Sequence, residues 1–127
     1  MASKTIIKPA GAPQAVGPYH QAVRVGDLLF CSGQIPVDPS TGELVQGDIR
    51  AQTARVLKNV RVILEDQNLT PAHVVKTTVF LADLADFPAM NEVYAEFFSG
   101  DFPARSTLQV AGLPKGAQVE IEMIAHF

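Results

Sequence analysis

Residues 74 to 83, VVKTTVFLAD, are rich in β-branched side chains and apolar on both faces of an extended chain. A strand of that kind belongs in the interior of a sheet, with cover on its two sides. The flanking segments have the opposite character. From Asp48 onward, Ile49, Val56, Leu57, Val60, Ile63 and Leu64 recur at helical spacing, while Arg50, Lys58, Arg61 and Glu65 fall largely on other sides. Asp48 can cap the start of this helix and Asn68 can help end it. After the strand, Phe87, Met90, Tyr94, Phe97 and Phe98 form a second helical stripe, with Asp86 as its expected cap and Gly100 as its end. That stripe reads as core rather than as a cofactor box.

The remaining segments read as strands and turns. KTIIK is a short leading strand, and PAGAPQAVGPYH an ordered loop or tethered arm. QAVRV and LLFCSG flank Gly26-Asp27, a dipeptide suited to a tight hairpin turn. VDPSTGEL is rich in turn residues, and RSTLQVA and QVEIEMIAHF are two last strands around GLPKGA. No internal repeat is present. The order predicts an α+β fold in one domain spanning residues 1–127, a mixed, mainly antiparallel sheet with both long helices on one face. In the last strand Val119, Ile121, Met123 and Ala125 alternate with Gln118, Glu120, Glu122, Ile124 and His126. The strand at 74–83 is greasy on both sides, so a lone copy would leave part of the second sheet face bare. The expectation is self-association through that face.

Several function classes fall away. Ten Lys and Arg against 13 Asp and Glu give a formal charge of -3, with the basic residues scattered, so no nucleic-acid partner is expected. No run is long enough to span a bilayer and no basic-then-apolar leader opens the chain, so no membrane association and a cytoplasmic location are expected. Cys31 is the single cysteine, and with His20, His73 and His126 far apart no metal spacing exists. Cys31 reads as a small buried hydrophobe and His73 as a solvated residue.

The stretch FPARSTLQV places a lone cation, Arg105, at the head of a strand after a proline-directed turn. A guanidinium so placed can grip a carboxylate with two parallel hydrogen bonds, or it can be a solvated strand end. Arg105, Thr107 and Gln109 share one face of their strand, and Glu120 and Glu122 share one face of theirs. If those faces adjoin, cation and carboxylate line one pocket. The alternative is a structural ion pair across neighbouring strands.

Four blocks, GPYHQAV, CSGQIPVDPSTGELV, VVKTTVFLADLADFPAMNEVYAEFF and FPARSTLQVAGLPKGAQVEIEMIA, together resemble the RidA/YjgF family of enamine and imine deaminases, in order and spacing, over about Ile6 to Ala125. The resemblance implies a chorismate-mutase-like fold and a homotrimer with ligand clefts between subunits. It also implies cofactor-free hydrolysis of 2-imino acids, such as 2-iminobutanoate and 2-iminopropanoate released by serine and threonine dehydratases, to 2-keto acids and ammonia. The arginine of the family's PARS motif, which holds the substrate carboxylate, matches Arg105. The glutamate of its EIE strand, which positions or activates water, matches Glu120. Tyr19 matches the tyrosine of GPY, Ser32 beside Gly33 the SGQ segment, and Asn91 the asparagine of NEVY. Two positions depart from the pattern: His20 stands where serine is common, and Thr107 stands in the substrate-binding position where many members have cysteine.

These residue types suit the chemistry. Arg105 can anchor the one permanent anion of a 2-imino acid, and Glu120 can accept a proton from attacking water and return one to nitrogen. Tyr19 can donate to the carboxylate or close the cleft, or merely pin the arm. Two other functions compete with deamination: a trimer that binds small carboxylates without turnover, as sensor or chaperone, and an endoribonuclease or translation inhibitor, against which the acidic balance argues.

Overall fold

A computed structural model describes residues 3–127. Five strands come first: β1 Thr5–Ile7, β2 Ala22–Val25, β3 Leu28–Gln34, β4 Val37–Asp38 and β5 Glu43–Leu44. They are followed by α1 Ile49–Asp66, β6 Val74–Leu81, α2 Phe87–Phe98, β7 Ala104–Gln109 and β8 Val119–His126. The main sheet has six strands in the order β1-β2-β3-β8-β6-β7, antiparallel except for the parallel pair β6 and β7. β4 and β5 form a separate hairpin over the turn-rich loop, where Asp38 accepts from the backbone and hydroxyl of Ser40.

Local signals explain most of these elements. Gly26 takes φ 58° in the two-residue turn that joins Val25 to its partner Leu28. Asp48 accepts from Ala51 N at 3.0 Å and caps α1, and Asn68 closes it in the left-handed region at φ 59°. The start of α2 differs from expectation, because Asp86 makes no capping bond. Its neighbour Asp83 caps a 3-10 turn, Leu84–Asp86, through Ala85 N, and Asp86 is already inside that turn with helical backbone angles. Ser99, at φ 53°, ends α2 ahead of Gly100. His73 is not simply solvated: its Nδ1 accepts from Thr70 N at 3.1 Å, tying the short turn before β6.

Both helices cover the same side of the sheet. Val56, Val60, Ile63 and Leu64 of α1 and Met90, Tyr94 and Phe98 of α2 bury against Leu29, Val79, Leu81, Val119, Ile121 and Met123. Tyr94 Oη also meets Thr77 Oγ1 at 2.7 Å, fixing α2 to β6. Among the described residues no layer covers the other face. Phe30 and Leu108 there are 41% and 40% exposed, and Phe80, Thr78 and Ile124 are half-buried. β6 is therefore apolar on two faces, but helices cover only one of them. Its Val75 is exposed because a register shift against β8 between Val74 and Lys76 adds a residue there.

Ile121 sits at the centre of the covered face, paired with Val79 of β6 and 1% exposed. Ile121→Ala is expected to destabilise the fold by about 2–5 kcal/mol, read as a lower midpoint of urea unfolding.

Candidate functional site

A register shift in β3 shapes the site. Cys31 pairs with Met123 and Gln34 with Ile121, so β3 spends three residues where β8 spends two, and the extra length falls at Ser32 and Gly33. Such a bulge bends the strand and redirects what it carries. Here it brings the backbone of Gly33 under the side chain of Glu120, on the face that the helices leave open. A Cβ at Gly33 would lie 2.8 Å from Glu120 Cδ, so only glycine leaves the carboxyl where it is. Burial, and secondly the negative charge of Glu122, push the Glu120 carboxyl above the ordinary glutamate range.

Around this pair runs a cleft of about 970 Å³ whose walls include Tyr19, Ser32, Gly33, Lys115, Glu120 and Glu122. Tyr19 Oη accepts from Val16 N at 3.4 Å, so the aromatic does pin the arm and still keeps its own O–H to donate. Ser32 Oγ donates to the His20 carbonyl at 2.6 Å, which commits its proton and leaves the oxygen as an acceptor. A smaller hollow of about 320 Å³ lies on the open sheet face beside Phe30, Ser32, Lys76 and Glu122.

Arg105, Thr107 and Asn91 are elsewhere. Arg105 pairs in register with Thr77 and Thr107 with Val79, so both point to the helix-covered face. The Arg105 guanidinium lies 4.7 Å from the Tyr94 ring centre and 5.4 Å from that of Phe87, and among the described residues no carboxylate pairs with it. Two aromatic rings hold the cation and leave its donors available. Asn91 shares a helix side with Phe87 and Tyr94 at spacings of four and three. Asn91 Oδ1 and Thr107 Oγ1 are both buried with no hydrogen-bond partner among the described residues. Burying such atoms is unfavourable unless a donor or acceptor reaches them.

One expectation therefore fails within a single chain. β6 lies between β7 and β8, and Arg105 and Glu120 are on opposite faces of the sheet. Their strands are not neighbours, which excludes the cross-strand ion pair as well as a shared pocket in one copy. Cys31 is buried, as its alternation with Leu29 predicts, and burial pushes its thiol up to about 12. Among the described residues no group of three or more His, Cys, Asp or Glu is placed to hold a metal ion. No helix among them is long and apolar enough to cross a membrane. Sequence reasoning missed Gln21, Gln34 and Lys115 in the cleft wall, and Phe87 and Tyr94 as the seat of Arg105. The aromatic seat was legible in principle, since its residues lie on the stripe already assigned to the core.

A model of the family described as Endoribonuclease L-PSP matches residues 9–127. A human 2-iminobutanoate/2-iminopropanoate deaminase is 48% identical over 122 residues, covering 96% of this chain and 89% of that protein. A RutC family protein of Pyrococcus abyssi is 49% identical over 98% of each chain. Among solved structures, E. coli TdcF with bound serine superposes with a TM-score of 0.92 at 45% identity, covering 97% of this chain and 98% of that one. The YjgF gene product from E. coli gives 0.91 at 46% identity, covering 96% and 98%.

Gly33→Ala is expected to push the Glu120 carboxyl off the bulge into water with only a modest loss of stability, because the displaced atoms end a flexible side chain. Carbon-detected NMR titration should then show the Glu120 midpoint moving down toward that of an ordinary glutamate.

Proposed function

The chain belongs to the Endoribonuclease L-PSP family, also called RidA/YjgF, and from that premise we propose that it hydrolyses reactive 2-imino acids to 2-keto acids and ammonia without a cofactor. Its working form on this reading is a chorismate-mutase-like homotrimer in which the Glu120 cleft of one copy faces the Arg105 surface of the next. The observation that carries the reading is the split constellation. Glu120, Tyr19, Ser32 and Gly33 form one half of a site, while Arg105 stands on the opposite face with Asn91 and Thr107, whose buried oxygens lack partners. Such halves are of use to each other only between copies, and the bare sheet face supplies a surface for association.

The chemistry follows from the groups. Arg105, on its aromatic seat, holds the substrate carboxylate in a two-pronged grip, assisted by the Tyr19 O–H. Ser32 Oγ, its proton engaged, accepts from the imine N–H. Glu120 takes a proton from water as the water oxygen bonds to C2 and passes it to the imine nitrogen, giving a carbinolamine. Glu120 then takes the carbinolamine hydroxyl proton and delivers it to nitrogen as the C–N bond breaks and the C=O forms. The balance is one imine and one water in, one keto acid and one ammonia out. A carboxyl raised by burial is a stronger base than a free glutamate, which suits this exchange near neutral pH.

One observation favours a second reading, a trimer that holds a small carboxylate without turnover: the related E. coli TdcF is a structure with bound serine. Arg105 alone would serve a binder, whereas hydrolysis also needs Glu120. Against the nuclease reading that the family's description carries stands the acidic balance, a net charge of -3 with scattered basic residues.

Coupled to a threonine dehydratase, the wild type is expected to speed 2-oxobutanoate release, and Arg105→Ala to abolish the gain while keeping its oligomeric state by sedimentation. Glu120→Gln should keep carboxylate binding and lower turnover on the order of 10²- to 10⁴-fold; full turnover in that variant would sink the assigned role. The pH profile gives a further check. Ionised Glu120 is the active form, so a raised midpoint places the acid limb of kcat/KM above the ordinary glutamate range. Glu122→Gln removes the smaller of the two causes, so the limb should move to lower pH yet stay elevated, because burial persists.

A further inference from the structure

We propose that Gln34 and Gln21 are positioning residues, a buried amide clamp that sets the Gly33 bulge beneath Glu120 and ties the Tyr19 arm to the same cleft; the catalytic part of this rests on the deaminase reading.

Both glutamines are buried, and both contribute to the cleft wall. Gln34 Nε2 donates to Gln21 Oε1 at 2.6 Å and to the Ser32 carbonyl at 3.2 Å. Gln21 Nε2 in turn donates to the carbonyl of Pro13. Buried amides are unfavourable unless their donors are met, and apolar residues of similar shape fill such space at no loss of stability. What the amides add is direction. Three separated segments meet in one chain of hydrogen bonds: the arm at Pro13, the start of β2 at Gln21, and the bulge at Ser32.

Ser32 is held from every side by this arrangement. Its N–H donates to the Gln21 carbonyl at 2.9 Å, its Oγ to the His20 carbonyl at 2.6 Å, and its own carbonyl accepts from Gln34 and from Cys31 Sγ. Gly33 comes next in the chain, and the space above it is already filled by the Glu120 carboxyl. A shift of the bulge of about 1 Å would move that carboxyl or admit water beneath it, and displacements of that size are worth on the order of 10²-fold in rate. Gln34 thus acts on the proposed base through Ser32 and Gly33. Gln21 acts through the arm, because releasing Pro13 frees the loop that carries Tyr19.

Two variants and two readouts that need no turnover test the clamp. Gln34→Leu keeps the bulk and removes both donors. At unchanged oligomeric state it is expected to shift the NMR titration midpoint of Glu120 downward and, in the coupled assay, to lower kcat about 10- to 100-fold. Gln21→Met leaves the bond from Gln34 to Ser32 and cuts the link to Pro13. It is expected to accelerate amide exchange over residues 10–20, with KM rising more than kcat falls. An unchanged Glu120 midpoint in Gln34→Leu, or unchanged exchange of the arm in Gln21→Met, overturns the proposal. If Gln34→Leu fails to fold, the exchange experiment on Gln21→Met decides alone. If the wild type shows no imine turnover, the deaminase reading fails while the titration and exchange results still judge the clamp.

Discussion

One-sided burial governs this molecule. Two helices press Val56, Val60, Ile63, Met90 and Tyr94 onto one face of a six-stranded sheet, and Val79, Leu81, Val119, Ile121 and Met123 answer from the strands. Strand side chains alternate, so once these residues face inward the placement of their neighbours is settled. Glu120 and Glu122 must face away from the helices, and Arg105 and Thr107, in register with Thr77 and Val79, must face toward them. The pattern that builds the core thereby sends the two chemically interesting charges to opposite sides. A slip of one residue in β7 would send Arg105, Thr107 and Gln109 to the open face and turn Ser106 and Leu108 toward the helices.

The alternation is broken at the start of β6 and again at the bulge in β3, and the cleft is built at the β3 bulge. An unbroken β3 would keep strict register with β8 and set a regular strand beside Glu120. The extra residue turns the chain, lets a glycine backbone approach the carboxyl, and delivers β3 into the loop whose Ile35 and Val37 carbonyls accept from buried Asn59 of α1. The cleft wall is therefore fixed from two directions, by amides on the sheet side and by Asn59 on the helix side. Asn59 is itself held by Arg55, whose guanidinium donates to its Oδ1 at 2.7 Å, so the buried amide faces no unmet demand.

The helices and the first hairpin were legible in the sequence because each rests on local regularities: the helical stripes, Asp48 before α1, and Gly26-Asp27 between β2 and β3. Strand order was not, since inserting β6 between β7 and β8 depends on contacts between distant segments that leave no mark within either strand. The cap of α2 misled for a related reason: Asp83 and Asp86 are equally plausible by type, and only the intervening 3-10 turn decides between them. The candidate residues themselves were readable from the resemblance, and their division between two faces was not, because it needs the parity of β6 relative to both neighbours. Gln21 and Gln34 carry no signal at all by residue type, since a glutamine beside a turn is most often a solvated one.

Keeping Arg105 away from Glu120 within the chain has an electrostatic consequence. A guanidinium beside that carboxyl would favour its ionised form and oppose the effect of burial. With the two on separate faces, burial and Glu122 act on Glu120 unopposed, and the carboxyl stays raised. Arg105 for its part rests on aromatic rings, which attract a cation without neutralising it or occupying its donors. Each half is thus kept from satisfying itself. In the proposed trimer a 2-imino acid placed between them brings its own carboxylate to Arg105, so the substrate rather than Glu120 meets the cation. The base keeps the proton affinity its task requires, and the separation that looks unfavourable in one chain becomes the means of binding an anion next to a basic carboxylate.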